Sequence, residues 1–159
     1  MWRLLERIAK LERRVSAIYD AYAVRASHVP PVAAFWREMA ADERMHAVVI
    51  AAARELFAPS ESPPASEWAR ELIDIEELIR TVEAELSGPL SLADAFARAD
   101  QLEGSELNTL SKLIIEHAGT GFSRLGPLLT DWPVDRHHDK LAQGWERLAA
   151  CVRTGGADA

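Results

Sequence analysis

The stretch MAADERMHAVVI, residues 39–50, places an acid and a histidine three residues apart within an otherwise largely apolar segment. These are Glu43 and His46, and on a helix residues three apart lie on one face, a turn apart. Met39 and Ile50 fall on the same face at helical spacing, so both polar side chains point where the core should be. A buried carboxylate is costly unless it is paired or bound to a metal. The stretch therefore predicts a helix that carries metal ligands into a helical core.

A second acid-x-x-His pair, Asp135 and His138, follows late in the chain. Each pair has an upstream glutamate at nearly the same distance, Glu12 before Glu43 and Glu103 before Asp135. With 25 acidic residues and five histidines among 159 residues, chance alone gives about 0.8 such pairs, so one pair is uninformative. The repeated layout is informative, because helical bundles build two-metal sites from this arrangement of carboxylates and acid-x-x-His motifs.

Oxygen ligands with two imidazoles suit iron or manganese better than a structural zinc site, which prefers sulfur. Glu106 stands three residues after Glu103 and shares its helix face. His137, next to His138, is expected to face away from the site. The sequence thus predicts two divalent metal ions, which could be iron, manganese or a mixed pair. The predicted metal ligands are Glu12, Glu43, His46, Glu103, Glu106, Asp135 and His138.

Composition narrows the class of protein. Hydrophobic residues make up 48% of the chain and charged residues 27%, which is typical of a globular domain. The net charge of −7 and the lack of a basic patch argue against nucleic acid as a partner. No apolar run is long enough to span a bilayer. The single cysteine, Cys151, excludes disulfides within the chain and cysteine-ligated iron sites. We expect a cytoplasmic protein with no membrane partner.

Apolar residues recur at helical spacing and no segment alternates at period two, which predicts an all-α fold. Pro30 suits the first turn of a second helix, and Ser91 with Asp94 has the spacing of a helix-capping pair. The predicted apolar stripe of the last helix is His138, Leu141, Trp145, Leu148 and Val152. We expect a four-helix bundle of two antiparallel hairpins joined by a long crossover that contains a short extra helix. Residues 1–153 would form this single domain and 154–159 a frayed tail.

The order of these motifs resembles the rubrerythrin-like branch of the ferritin-like superfamily. In that family the first helix carries a ligand glutamate followed two turns later by a tyrosine, and the later helices carry Glu-x-x-His, Glu-x-x-Glu and Glu-x-x-His. The matching positions are Glu12 with Tyr19, Glu43 with His46, Glu103 with Glu106, and Asp135 with His138. The resemblance implies a ferritin-like fold and places Tyr19 beside the metal ligands.

The resemblance also implies a function. It predicts a di-iron oxidoreductase that reduces peroxide or oxygen and takes electrons from an external donor, because the cysteines of a rubredoxin-type site are missing. It suggests a homodimer. Two alternatives stay open: an iron-binding or ferroxidase protein, and a metal-free ferritin-like interaction module. Pro133 and the short side chain of Asp135 favour the last of these.

Overall fold

The computed structural model of the chain describes residues 2–55, 66–105 and 136–155. This part of the chain forms five helices and no strand, which confirms the all-helical prediction for it. The helices are α1 (Trp2–Arg25), α2 (Pro30–Arg54), α3 (Ser66–Glu85), α4 (Leu92–Glu103) and α5 (Arg136–Gly155). The predicted tail begins inside α5, and its last residues, 156–159, lie outside the described residues. None of the described helices is both long and apolar enough to cross a membrane.

The helix ends follow the predicted signals. Pro30 opens α2 with proline in its first turn, where the missing backbone N–H leaves no partner unsatisfied. The Ser91 hydroxyl accepts a hydrogen bond from the Asp94 backbone N–H, and the Asp94 carboxylate accepts one from the Ser91 backbone N–H. This reciprocal capping box fixes the first turn of α4.

Helices α1 and α2 run antiparallel. The Ser16 hydroxyl donates to the backbone carbonyl of Ala40 at 2.9 Å, and nearer the start of α1 Glu6 lies 3.8 Å from Arg54, at the end of α2. One apolar stripe of α1 is buried along its length, from Leu4 through Ile8 and Val15 to Ile18. Burial of this stripe against α2 is the main hydrophobic contact of the first hairpin.

Helix α3 runs parallel to α1. Arg7 pairs with Glu76, and further along both helices Arg14 pairs with Glu83, each through two hydrogen bonds of 2.7–2.8 Å. Arg25, at the end of α1, donates to backbone carbonyls in the turn after α3. Helix α3 therefore returns along the bundle in the direction opposite to α2, before α4 begins.

Helix α5 packs antiparallel to α2 and to α4. Lys140 of α5 binds Asp42 of α2 at 2.6 Å. Further along, Gly144 lies so close to α2 that an added Cβ would sit 2.5 Å from the Phe35 ring. On the α4 side, Trp145 meets the ring of Phe96 at a centroid distance of 5.4 Å. Helices α1, α2, α4 and α5 thus surround one buried interior.

Candidate metal centre

Five polar side chains from four helices meet in this interior. All are at most 5% exposed, although side chains of these types normally lie at protein surfaces. They are Glu12 from α1, Glu43 and His46 from α2, Glu103 from α4 and His137 from α5. We call these five residues the buried cluster. Its members from α1, α2 and α4 are those that the sequence predicted.

Glu43 lies at the centre of the buried cluster. One of its carboxylate oxygens is 3.1 Å from Nδ1 of His137, and the other is 3.1 Å from Nδ1 of His46. The same His137 nitrogen is 2.9 Å from Oε2 of Glu103. On the opposite side, Oε2 of Glu12 lies 4.0 Å from Nδ1 of His46. The four helices therefore bring their carboxylates and imidazoles to one point.

Three residues of the buried cluster lie close enough together to bind one metal ion. Glu43, His46 and His137 each offer one ligand atom, and these three atoms lie within 4.8 Å of one another. The two imidazole rings are nearly stacked, with centroids 5.0 Å apart. One cation placed between them would reach both rings and the carboxylate.

Burial and mutual repulsion decide the protonation of the glutamates. Burial, followed by the negative charge of Glu43, raises the pKa of Glu12 well above its usual range. Burial alone would also raise the pKa of Glu43, but hydrogen bonds from His137 and His46 outweigh it and hold that pKa below its usual range. Without a metal, the buried cluster thus keeps a proton on Glu12 and a charge on Glu43.

His137 carries the compensating positive charge. Burial lowers the pKa of a histidine, but hydrogen bonds to Glu103 and then Glu43 outweigh this effect and raise the pKa of His137 to about 10. A protonated imidazole and a protonated carboxylate therefore balance the charges that a divalent cation would otherwise balance.

Tyr19 lies beside the buried cluster, as the family resemblance implies. Its hydroxyl donates a hydrogen bond of 2.6 Å to Oε1 of Glu103. Burial, followed by the charges of Glu103 and Glu43, raises the pKa of Tyr19 well above its usual range. The phenol therefore keeps its proton and orients the Glu103 carboxylate.

The structure differs from the sequence prediction in which of the two adjacent histidines of α5 faces the interior. His138, predicted as a ligand, has a side chain that is 50% exposed, with Nδ1 3.3 Å from Asp100 at the surface. His137, predicted to face away, is 1% exposed and touches two carboxylates of the buried cluster. Successive helix residues point about 100° apart, and on α5 this rotation places His137 in the interior and His138 at the surface.

The true inward face of α5 is His137, Leu141, Gly144 and Leu148, all of which are buried. Trp145, which the sequence placed on that face, is 40% exposed. A signal for His137 was present, since it stands four residues before Leu141, as an inward helical residue should. Gly144 interrupts the apolar spacing of this face, because glycine has no apolar side chain by which a buried position could be recognised.

The remaining predicted ligands, Glu106 and Asp135, lie outside the described residues. Neither the Glu103-x-x-Glu106 pair nor the Asp135-x-x-His138 pair can be placed in full. Of the predicted set, the described residues thus bring together Glu12, Glu43, His46 and Glu103.

The donors of the buried cluster fit a divalent transition metal. They are carboxylate oxygens and imidazole nitrogens, a set suited to iron, manganese or zinc. Oε1 of Glu12 is buried and has no hydrogen-bond partner among the described residues, which is costly unless a cation binds it. The second ring nitrogen of His137 faces Asp42 at 3.6 Å, and a carboxylate behind the ring is the usual environment of a metal-bound histidine.

Comparisons of the chain with protein-family models, with curated proteins and with solved structures found no match.

Proposed function

We propose that this protein is a rubrerythrin-like carboxylate protein of the ferritin-like type, which binds iron and reduces peroxide or oxygen with electrons from an external donor. The observation that supports this most is the convergence of five buried ligand-type side chains from four helices. The helix directions also suit a ferritin-like bundle, because α3 returns along the bundle between two antiparallel hairpins.

In this proposal Glu43, His46 and His137 hold one ion, and Glu12 and Glu103 lie next to it as ligands of the full two-ion site. Bound iron supplies the redox chemistry by cycling between the ferrous and ferric states. Tyr19 keeps Glu103 oriented through its hydrogen bond. Glu12 and His137 give up their protons as the cation binds, since ligands must be deprotonated to coordinate.

The first experiment measures iron binding. Protein purified without chelators and loaded anaerobically with ferrous iron should hold at least about one equivalent per chain, whereas less than about half an equivalent would overturn the proposal. Glu43→Gln should lose most of this iron. Glu38→Gln is the matched control, because Glu38 is a surface acid of the same helix and should leave the iron content unchanged.

The second experiment measures turnover. Reduction of hydrogen peroxide to water consumes two electrons and two protons, so loss of peroxide should track oxidation of an added reductant at that ratio. Iron oxidation that proceeds without reductant turnover would instead indicate a ferroxidase or iron-handling protein, because it needs the same ligands and no electron donor.

A metal-free interaction module is the second candidate function. It is favoured by the close contacts of His137 with both Glu43 and Glu103, since a protonated histidine between two carboxylates offsets their charge without an ion. Under this reading Glu43→Gln destabilises the fold, and ferrous iron leaves the thermal midpoint of the wild-type protein unchanged. Stabilisation by iron would exclude it.

A further inference from the structure

A second site lies at the end of the bundle where the α1–α2 turn meets the α3–α4 turn. A cavity of about 180 Å³ opens there between the two turns. Its walls are mainly apolar and include Val29, Val32, Trp36, Leu90 and Leu92. An apolar protein cavity of about 150 Å³ is large enough to bind benzene. The cavity therefore has room for one ring or a short branched chain.

The polar side chains that line this cavity can all donate hydrogen bonds. Tyr22, Arg25, His28 and Ser91 line it, and no acidic residue is among the described lining residues. The Ser91 side chain is already engaged in the capping box of α4. The cavity thus combines apolar walls with a positively charged rim, which complements a small anion that carries an apolar body.

Tyr22 supplies an unsatisfied donor at this site. Its side chain is 2% exposed, and its hydroxyl is buried without a hydrogen-bond partner among the described residues. Burial, followed by the charge of Glu85, raises the pKa of Tyr22 to about 12, so the phenol keeps its proton. Glu85 does not occupy that donor, because Arg98 holds it in a two-point ion pair. A buried hydroxyl without a partner is costly and favours a ligand that accepts its hydrogen bond.

Arg25 is held in place at the cavity. Its guanidinium donates to the backbone carbonyls of Leu86 and Gly88 in the α3–α4 turn, at 2.8 Å for Gly88. These bonds fix the long side chain across the two turns before any ligand arrives, which lowers the entropy cost of binding an anion there.

We propose that this cavity binds a small monocarboxylic acid with a single ring or a short branched chain as its apolar body. The body lies against Trp36 and the aliphatic walls, and the carboxylate meets Arg25 and His28 and accepts from the Tyr22 hydroxyl. This site is independent of the metal proposal, because none of its lining residues belongs to the buried cluster.

Benzoate is the probe, and benzamide is its neutral counterpart of nearly the same shape. Titration of the full chain by calorimetry should give one saturable benzoate site with a Kd below about 1 mM. Benzamide should bind at least about tenfold more weakly, because it lacks the charge that the rim complements. Absence of saturable benzoate binding, or equal binding of benzamide, would overturn the proposal.

Variants test the location. Tyr22→Phe and Arg25→Gln should each weaken benzoate binding by about tenfold, since each removes a hydrogen bond or charge contact worth that much. Leu90→Trp should abolish binding by filling the cavity, and Arg13→Gln, a surface change on α1, is the matched control. If circular dichroism shows all variants folded and benzoate binds them equally, the acid binds elsewhere and the proposal fails.

Discussion

Replacement of His137 and His138 in turn tests the candidate metal centre most sharply. The two are adjacent and chemically identical, but one is 1% exposed within the buried cluster and the other lies half-exposed at the surface. We expect His137→Ala to remove a metal ligand and His138→Ala to leave metal binding intact. Both variants carry the same substitution in the first turn of α5, so they differ only in the side chain's location.

The magnitudes follow from the contacts. In metal-free protein, His137 is paired with Glu103 at 2.9 Å and with Glu43 at 3.1 Å. Loss of one partner of a buried ion pair costs about 3–5 kcal/mol, whereas surface substitutions usually change stability by less than about 0.5 kcal/mol. Metal affinity should fall more than about 100-fold in His137→Ala, since even changes in residues behind a ligand cost about 10–100-fold.

The assays are urea denaturation of chelator-treated protein and anaerobic titration with Co²⁺, whose absorption spectrum reports its coordination. His137→Gln covers the case in which the alanine variant fails to fold, because glutamine retains an N–H donor for the carboxylates but is a poor metal ligand. Equal effects at the two positions, or a larger loss of Co²⁺ binding in His138→Ala, would show that the assignment of His137 is wrong.

Two further predictions concern packing and pH. Gly144→Ala should destabilise the protein by about 1–3 kcal/mol in urea denaturation, because the new Cβ would meet Phe35 at 2.5 Å, whereas Gly88→Ala, with 3.7 Å to its nearest atom, should change stability little. Equal effects of the two would contradict the tight packing of α5. Because the folded-state pKa of His137 is raised from 6.5 to about 10, its stabilising contribution is complete below pH 6.5 and is lost as the pH rises towards 10. The free energy of unfolding of metal-free protein, measured by urea denaturation, should therefore fall over this range by at most about 1.4 kcal/mol per pH unit from this group, and a flat profile would contradict the raised pKa.

The parts of the fold that local signals control were predictable from the sequence. Pro30 and the Ser91–Asp94 pair mark helix starts through backbone chemistry that needs no tertiary information, and both lie where expected. Glu43 and His46 were also predictable, because both stand on an unbroken apolar stripe of one helix. The periodicity that identified the helix thus identified its buried polar side chains too.

The face of α5 was not predictable by the same means. His137 and His138 are neighbours, and each stands at helical spacing from Leu141, so periodicity alone admits both. The choice depends on how closely α5 approaches α2, and that approach is made possible by Gly144, which lies two turns after His137. Contact between helices depends on the tertiary structure. A glycine at such a contact cannot be recognised from the spacing of apolar residues.

Two arginines of α1 that pair with α3 help to set the position of Glu103 along the bundle axis. Arg7 and Arg14 are seven residues apart, as are their partners Glu76 and Glu83, so a slip of α3 by one turn, about 5.4 Å, would break both pairs together. Such partly exposed pairs each contribute at most about 1 kcal/mol, so their effect is on alignment more than on stability. Because only a short turn joins α3 to α4, the same slip would displace Glu103 along the bundle axis. The two ion pairs therefore fix the position of α3 along the bundle axis, and with it the position of the Glu103 carboxylate on α4.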